Sequence, residues 1–115
     1  MKENAILEKS FRFAVRIVNL YKELCKRKEY VLSKQMLRSG TAIGALVREG
    51  EHAQSRADFI NKMNVALKEA NESEYWLMLL KDTNYLSETE YESVQSDCRE
   101  LVKLLICIVR SSKNN

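Results

Sequence analysis

His52 is the chain's one histidine, and it follows Glu49 at the three-residue spacing that lets a helix turn aim a carboxylate and an imidazole at one metal ion. A di-iron centre in a helical bundle needs two such Glu-x-x-His pairs and further inward carboxylates. No second pair exists, and this one falls beside Gly50, where a helix is expected to end. Glu69-x-x-Glu72 and Glu74 put carboxylates on a helix, but acid/base work of the glycosidase kind needs a cleft and a desolvated carboxyl, and nothing in the pattern indicates either. Cys25, Cys98 and Cys107 have no CxxC spacing; Cys98 and Cys107 sit in apolar periodic segments, where a thiol behaves as a small hydrophobe. There is no nucleophile elbow, and the glycines lack the P-loop spacing and its lysine-serine ending. The expectation is a protein without catalytic residues, metal, cofactor or small-molecule substrate.

The chemistry that the pattern does support is the binding of anions. Net charge is only +3, but residues 1–57 hold 12 Lys/Arg against 6 Asp/Glu, while residues 58–115 hold 7 against 10. Such asymmetry marks an anionic partner, an electrostatic match between subunits, or solvated helix faces. Lys9, Arg12 and Arg16 recur at three and four residues and form one basic strip on a first helix; Lys34 and Arg38 do the same on a second. Strips of this kind can track a phosphate backbone of RNA or DNA with salt-sensitive affinity and little sequence preference. Arg12, Arg16, Lys34 and Arg38 are the phosphate-facing candidates. Aromatic residues are not interleaved with them, because Phe11 and Phe13 are needed for the core.

These residues must be carried by helices. Leu7, Phe11, Ala14, Val18, Tyr21 and Cys25 step by three and four through a helix over 4–27, and Lys26-Arg27-Lys28 suits its C-terminal end. A second helix over 31–52 carries Leu32, Met36, Ile43 and Leu46 or Val47, with Gly50 as its stop signal. Ser55 and Asp58 open a third over 56–81, and Ser87-x-x-Glu90 is a capping box for a fourth over 88–111. Tyr91, Val94, Cys98, Leu101, Leu105 and Ile108 alternate steps of three and four, the seam of a coiled-coil-like bundle. Linkers of two to six residues make neighbours antiparallel, so residues 1–115 are expected to form one all-α domain, an up-and-down four-helix bundle. The longest apolar run, Leu104 to Val109, is far short of a membrane span, and a cytoplasmic protein is expected.

All three glycines lie between Gly40 and Gly50, and there is no proline. Glycine inside a helix costs about 0.5–1 kcal/mol relative to alanine, so the clustering needs a local reason. Gly40 and Gly44 share a face with Ser39 and Thr41 beside them, where another backbone can approach, either inside the bundle or from another subunit. Tyr75-Trp76-Leu77-Met78-Leu79-Leu80 and the segment from Leu101 to Val109 are apolar beyond one stripe, and that surplus predicts a partner surface. Tyr75 and Trp76, with Gly40 and Gly44, are the candidates for helix packing and homo-oligomer contacts.

Arg38-Ser39-Gly40-Thr41-Ala42-Ile43-Gly44-Ala45, Arg48-Glu49, Ala53-Gln54-Ser55-Arg56-Ala57-Asp58-Phe59-Ile60-Asn61-Lys62-Met63, Ala66-Leu67-Lys68-Glu69-Ala70-Asn71-Glu72 and Tyr75-Trp76-Leu77 together resemble one family: the bacterial proteins encoded in intervening sequences of 23S ribosomal RNA genes. The resemblance spans nearly the whole chain. It implies an antiparallel four-helix bundle assembled as a homo-oligomeric ring, a pentamer, with no established enzymatic activity. The family usually has asparagine after the alanine at Ala45, and this chain has Leu46. A more distant similarity is to the accessory protein of diversity-generating retroelements, a basic pentameric bundle that partners a reverse transcriptase and its RNA. The expected function is a bundle presenting a basic surface to RNA or a nucleoprotein; the alternative is a protein-interaction module without direct nucleic-acid contact.

Overall fold

A computed structural model describes residues 2–114, with side chains from Ala5 onward; of the expected domain, Met1 and Asn115 lie outside the described residues. Four helices, α1 (Lys2–Lys26), α2 (Leu32–Glu51), α3 (Arg56–Asp82) and α4 (Glu88–Lys113), form a rod of 46 × 21 × 19 Å. Contacts across each seam run in opposite chain order. Gly40 and Gly44 meet Ile17 and Ser10, Arg38 and Glu49 meet Glu69 and Lys62, Ala70 and Glu74 meet Cys98 and Gln95, and Lys9 and Arg27 meet Glu100 and Glu90. Each helix therefore touches two antiparallel neighbours, while α1 and α3 are diagonal and do not touch. The core between them includes Phe13, Ile17, Met36, Ile43, Met63, Leu77, Leu101 and Leu105, all nearly or fully closed to solvent.

The helix ends show how the chain reverses. Ser87 and Glu90 form the capping box reciprocally, and the Ser55 hydroxyl accepts the Asp58 amide at 3.0 Å. α2 is capped differently. The Glu29 carboxylate accepts hydrogen bonds from the amides of Val31, Leu32 and Ser33, satisfying three donors that a helix start otherwise leaves open. α1 and α3 end alike. The Glu29 amide donates to the Leu24 carbonyl and the Tyr85 amide to the Leu80 carbonyl, with Lys28 (φ 65°) and Asn84 (φ 70°) in the left-handed conformation between.

The glycines are packing devices within the subunit. A Cβ on Gly44 would stand 3.3 Å from the Ser10 backbone oxygen of α1, and one on Gly40 would stand 2.9 Å from Ile17 Cγ1 and Cγ2. The close approach of two backbones, open between two locations on sequence grounds, lies at the α1–α2 seam. Gly50 corrects its expected role as a helix stop: α2 continues through it to Glu51, its φ is not positive, and its missing side chain makes room for Met63 Cε. The physical reason is that a helix-terminating glycine works by adopting positive φ, and this one does not.

Gly40→Ala and Gly50→Ala should therefore differ in sign. Alanine gains about 1 kcal/mol of helix propensity at either site. At Gly40 it drives into a β-branched side chain with no solvent-side room, an overpacking cost of about 1–3 kcal/mol. At Gly50 it meets the flexible end of a methionine. Urea midpoints should fall for Gly40→Ala and hold or rise for Gly50→Ala; equal shifts would contradict the packing account.

Candidate nucleic-acid interface

The four phosphate-facing candidates do not share one surface. Arg16 of α1 is drawn onto α4, where its guanidinium donates to Asp97 Oδ2 at 2.7 Å, to the Ser93 carbonyl at 3.1 Å and to the Ser93 hydroxyl. Arg38 of α2 turns to α3, pairing with Glu69 at 3.2 Å and with Glu72, which also accepts the Trp76 indole at 2.9 Å. The Trp76 and Arg38 bonds hold the Glu72 carboxyl below its usual range. Arg12 is exposed and pairs only along its own helix, with Glu8. Lys34, at the start of α2, is exposed and has no ion-pair partner among the described residues.

Part of the charge asymmetry is matched inside the subunit. Cations of the basic half lie along α1 and α2, carboxylates of the acidic half along α3 and α4, and the antiparallel seams bring them together as Lys9–Glu100, Arg16–Asp97, Arg27–Glu90 and Arg38–Glu69. Exposed pairs of this kind contribute only about 0–1 kcal/mol each. Their larger effect here is to decide which cations remain unneutralised. Lys22 and Lys26 on α1, Lys28 in the turn and Lys34 on α2 have no carboxylate partner among the described residues. All four are exposed and lie in or within two turns of the α1–α2 connection. Among acids at the same end, Glu92 of α4 is exposed without an ion-pair partner among the described residues, and the others are engaged. Glu29 is buried in its cap, Glu23 and Glu90 bind Arg27, and Asp82 and Glu88 bind Lys81.

This end also carries aromatic surface. Tyr30 is 53% exposed in the α1–α2 turn, beside Val31, and Tyr85 is exposed in the α3–α4 turn. Arg27 joins the two turns by donating to the Tyr85 carbonyl at 2.7 Å while pairing with Glu90 at 2.6 Å. Tyr30 lies within the run from Lys26 to Lys34, in the connection between two helices, and Tyr85 joins it only where two turns meet at one end of the rod. Of the packing candidates, Tyr75 is 53% exposed on the outer face of α3, edge-on to the half-buried Trp76 at 5.0 Å.

Elsewhere the chemistry is quiet. His52 is exposed and its amide closes α2, while Glu49 pairs with Lys62. Among the described residues no three His, Cys, Asp or Glu side chains converge on a metal position. Burial pushes the Cys98 thiol up to about 12, and its sulfur lies 3.3 Å from the Ala70 carbonyl, so it is a core group. No described helix is long and apolar enough to cross a membrane.

The family model of the 23S rRNA-intervening sequence protein matches residues 2–107. The chain belongs to that family. A crystal structure from Bacteroides thetaiotaomicron, described as a protein of unknown function from the S23 ribosomal protein family, is 62% identical, with a TM-score of 0.95 over 96% of this chain and 99% of that one. No curated protein matches. Leu46, where the resemblance leads to the expectation of an asparagine, is half-buried against the core and makes an apolar contact there.

Glu90 makes the cross-seam pairing visible to pH. The Arg27 guanidinium and the Ser87 amide hold its carboxyl at about 2, against an ordinary 4.5. The folded state thus binds fewer protons than the unfolded state in that interval, and the stabilisation, complete above pH 4.5, is lost as pH falls toward 2. Glu29 moves the same way: burial raises its pKa, but the hydrogen bonds from Val31, Ser33 and Leu32 outweigh that and lower it. Glu90→Gln should flatten the acid limb of a stability-versus-pH curve; an unchanged slope would contradict the assignment.

Proposed function

We propose that the chain is a non-enzymatic, cytoplasmic helical bundle that assembles with copies of itself and presents a basic surface to RNA or to a nucleoprotein. The observation that carries this reading is the group of four exposed lysines, Lys22, Lys26, Lys28 and Lys34, that have no carboxylate partner among the described residues and gather around the α1–α2 connection. The burden of phosphate contact thereby moves from Arg16 and Arg38, which hold carboxylates, to these lysines, with Lys34 retained from the helical strips and Arg12 at the margin.

Assembly is supported by two outward apolar strips, Phe11 with Val15 on α1 and Tyr75 with Met78 on α3; Phe13 fills the core as expected, but Phe11, expected there too, is 56% exposed. Because α1 and α3 are diagonal, the strips face away from each other. A contact of one with the other is head-to-tail, the geometry that closes into a ring when the rotation permits. Five copies is the number implied by the family resemblance. Tyr75→Ser combined with Met78→Ser should lower the sedimenting mass; an unchanged mass would remove this face from the interface.

RNA binding is tested by its salt dependence. Each phosphate neutralised on a single strand contributes about 0.7 to the slope of log K against log salt, so replacing all four lysines with glutamine should reduce that slope by roughly 2–3. Arg16→Gln and Arg38→Gln should change it little. A parent protein that binds no RNA at low salt would overturn this reading and favour the protein-interaction module.

A further inference from the structure

Tyr30 and Tyr85 stand outside the account of phosphate contact, and so does the backbone that displays them. The α1–α2 turn is unusually constrained for an exposed connection. Glu29 is buried and accepts three successive amides, Ser33 returns a hydrogen bond to the Glu29 carbonyl at 2.9 Å, and Arg27 fastens the neighbouring turn through the Tyr85 carbonyl. This clamp leaves the residues just beyond it, Tyr30 and Val31, projecting into solvent at 53% and 72% exposure. At the apex, Lys28 holds φ 65°, a conformation that glycine adopts without penalty and that is costly for other residues. A strained lysine with no acidic partner, set beside a clamped and exposed tyrosine, places a charge where folding alone would favour glycine.

Resting on the RNA-binding reading, we infer that the end of the bundle formed by the α1–α2 and α3–α4 turns is a single-strand site: Tyr30 and Tyr85 stack on unpaired bases, while Lys22, Lys26, Lys28 and Lys34 hold the adjoining phosphates. The two kinds of group divide the work by chemistry. An aromatic face accepts any base and gains from it only when the base is free of a duplex stack, whereas an ammonium reads phosphate on single strands and duplexes alike. Lysines alone would make the surface indifferent to strandedness; exposed rings on a rigid turn make it prefer single strands. The clamp matters because a preorganised ring loses little freedom on stacking. The carboxylates of Glu29, Glu23 and Glu90 are turned to the cap and to Arg27, while the exposed acids of this end, Asp82, Glu88 and Glu92, lie on α3 and α4, away from the lysine-bearing turn in the chain.

The test compares a labelled oligouridylate of about 12 nucleotides with a duplex RNA of equal length, by fluorescence anisotropy at low salt. The parent protein should bind the single strand more tightly. Tyr30→Ser and Tyr85→Ser, whose side chains reach solvent, should each weaken single-strand binding by roughly fivefold or more and leave duplex binding unchanged, while Tyr30→Phe should retain affinity. Equal affinity for both probes, with the serine variants matching the parent, would overturn the stacking site and leave the lysine reading standing. Loss of binding only in the lysine variants would overturn it in the same way. No binding of either probe by the parent would overturn both.

Discussion

The close approach of α1 and α2 is the constraint on which the rest of the structure depends. Gly40 and Gly44 let the backbone of α2 settle against Ile17 and Ser10, and neither position tolerates a Cβ without displacing α1. With that spacing set, the connection between the two helices is tight: a left-handed Lys28 ends α1 and the Glu29 carboxylate starts α2 within five residues. The basic half of the chain is thus folded back on itself, and lysines from the last turns of α1 and the first turn of α2 are gathered at one end. α3 and α4 complete the bundle with the acidic half, and the antiparallel order brings their carboxylates onto the remaining cations.

Electrostatics in this molecule therefore acts by subtraction. Individually the seam pairs are solvent-exposed and weak, so they are not what holds the bundle together; burial of Phe13, Ile17, Met36, Leu77, Leu105 and their neighbours does that. What the pairs accomplish is selection. They engage part of the charge along the flanks and leave Lys22, Lys26, Lys28 and Lys34 without a carboxylate partner among the described residues, although the chain as a whole carries only +3. A modest overall charge can still give a defined anionic-partner site when its distribution is this uneven.

Much of the fold was legible in the residues. The three-and-four periodicity of Tyr91 through Ile108 and the Ser87-x-x-Glu90 box place α4, and the short linkers fix the antiparallel order. The Gly40 and Gly44 pair announces a close approach, though only the structure assigns it to the α1–α2 seam. Gly50 was misleading because composition marks a glycine without revealing whether it supplies positive φ or merely space. The α2 cap was hidden as well: Glu29 is an uncommon capping residue, and its carboxylate reaches three amides directly after the left-handed Lys28. Candidate site residues were harder to read. Periodicity groups cations by helix face, so Arg12, Arg16, Lys34 and Arg38 looked equivalent, and only the cross-seam carboxylates separate the engaged from the free. Tyr30 and Tyr85 are far apart in sequence, and no helical spacing relates them; their association belongs to the way two turns meet.

The central claim is the proposal that RNA engages the end bearing the α1–α2 and α3–α4 turns and leaves the helix flanks alone. The most direct measurement is photo-cross-linking of the assembled protein to a 4-thiouridine-containing single strand, with the attached peptides identified by mass spectrometry. Adducts confined to the segment from Lys22 to Lys34 and to the turn around Tyr85 are the expected result. Adducts centred on Arg16 or Arg38, along the paired seams, would contradict it.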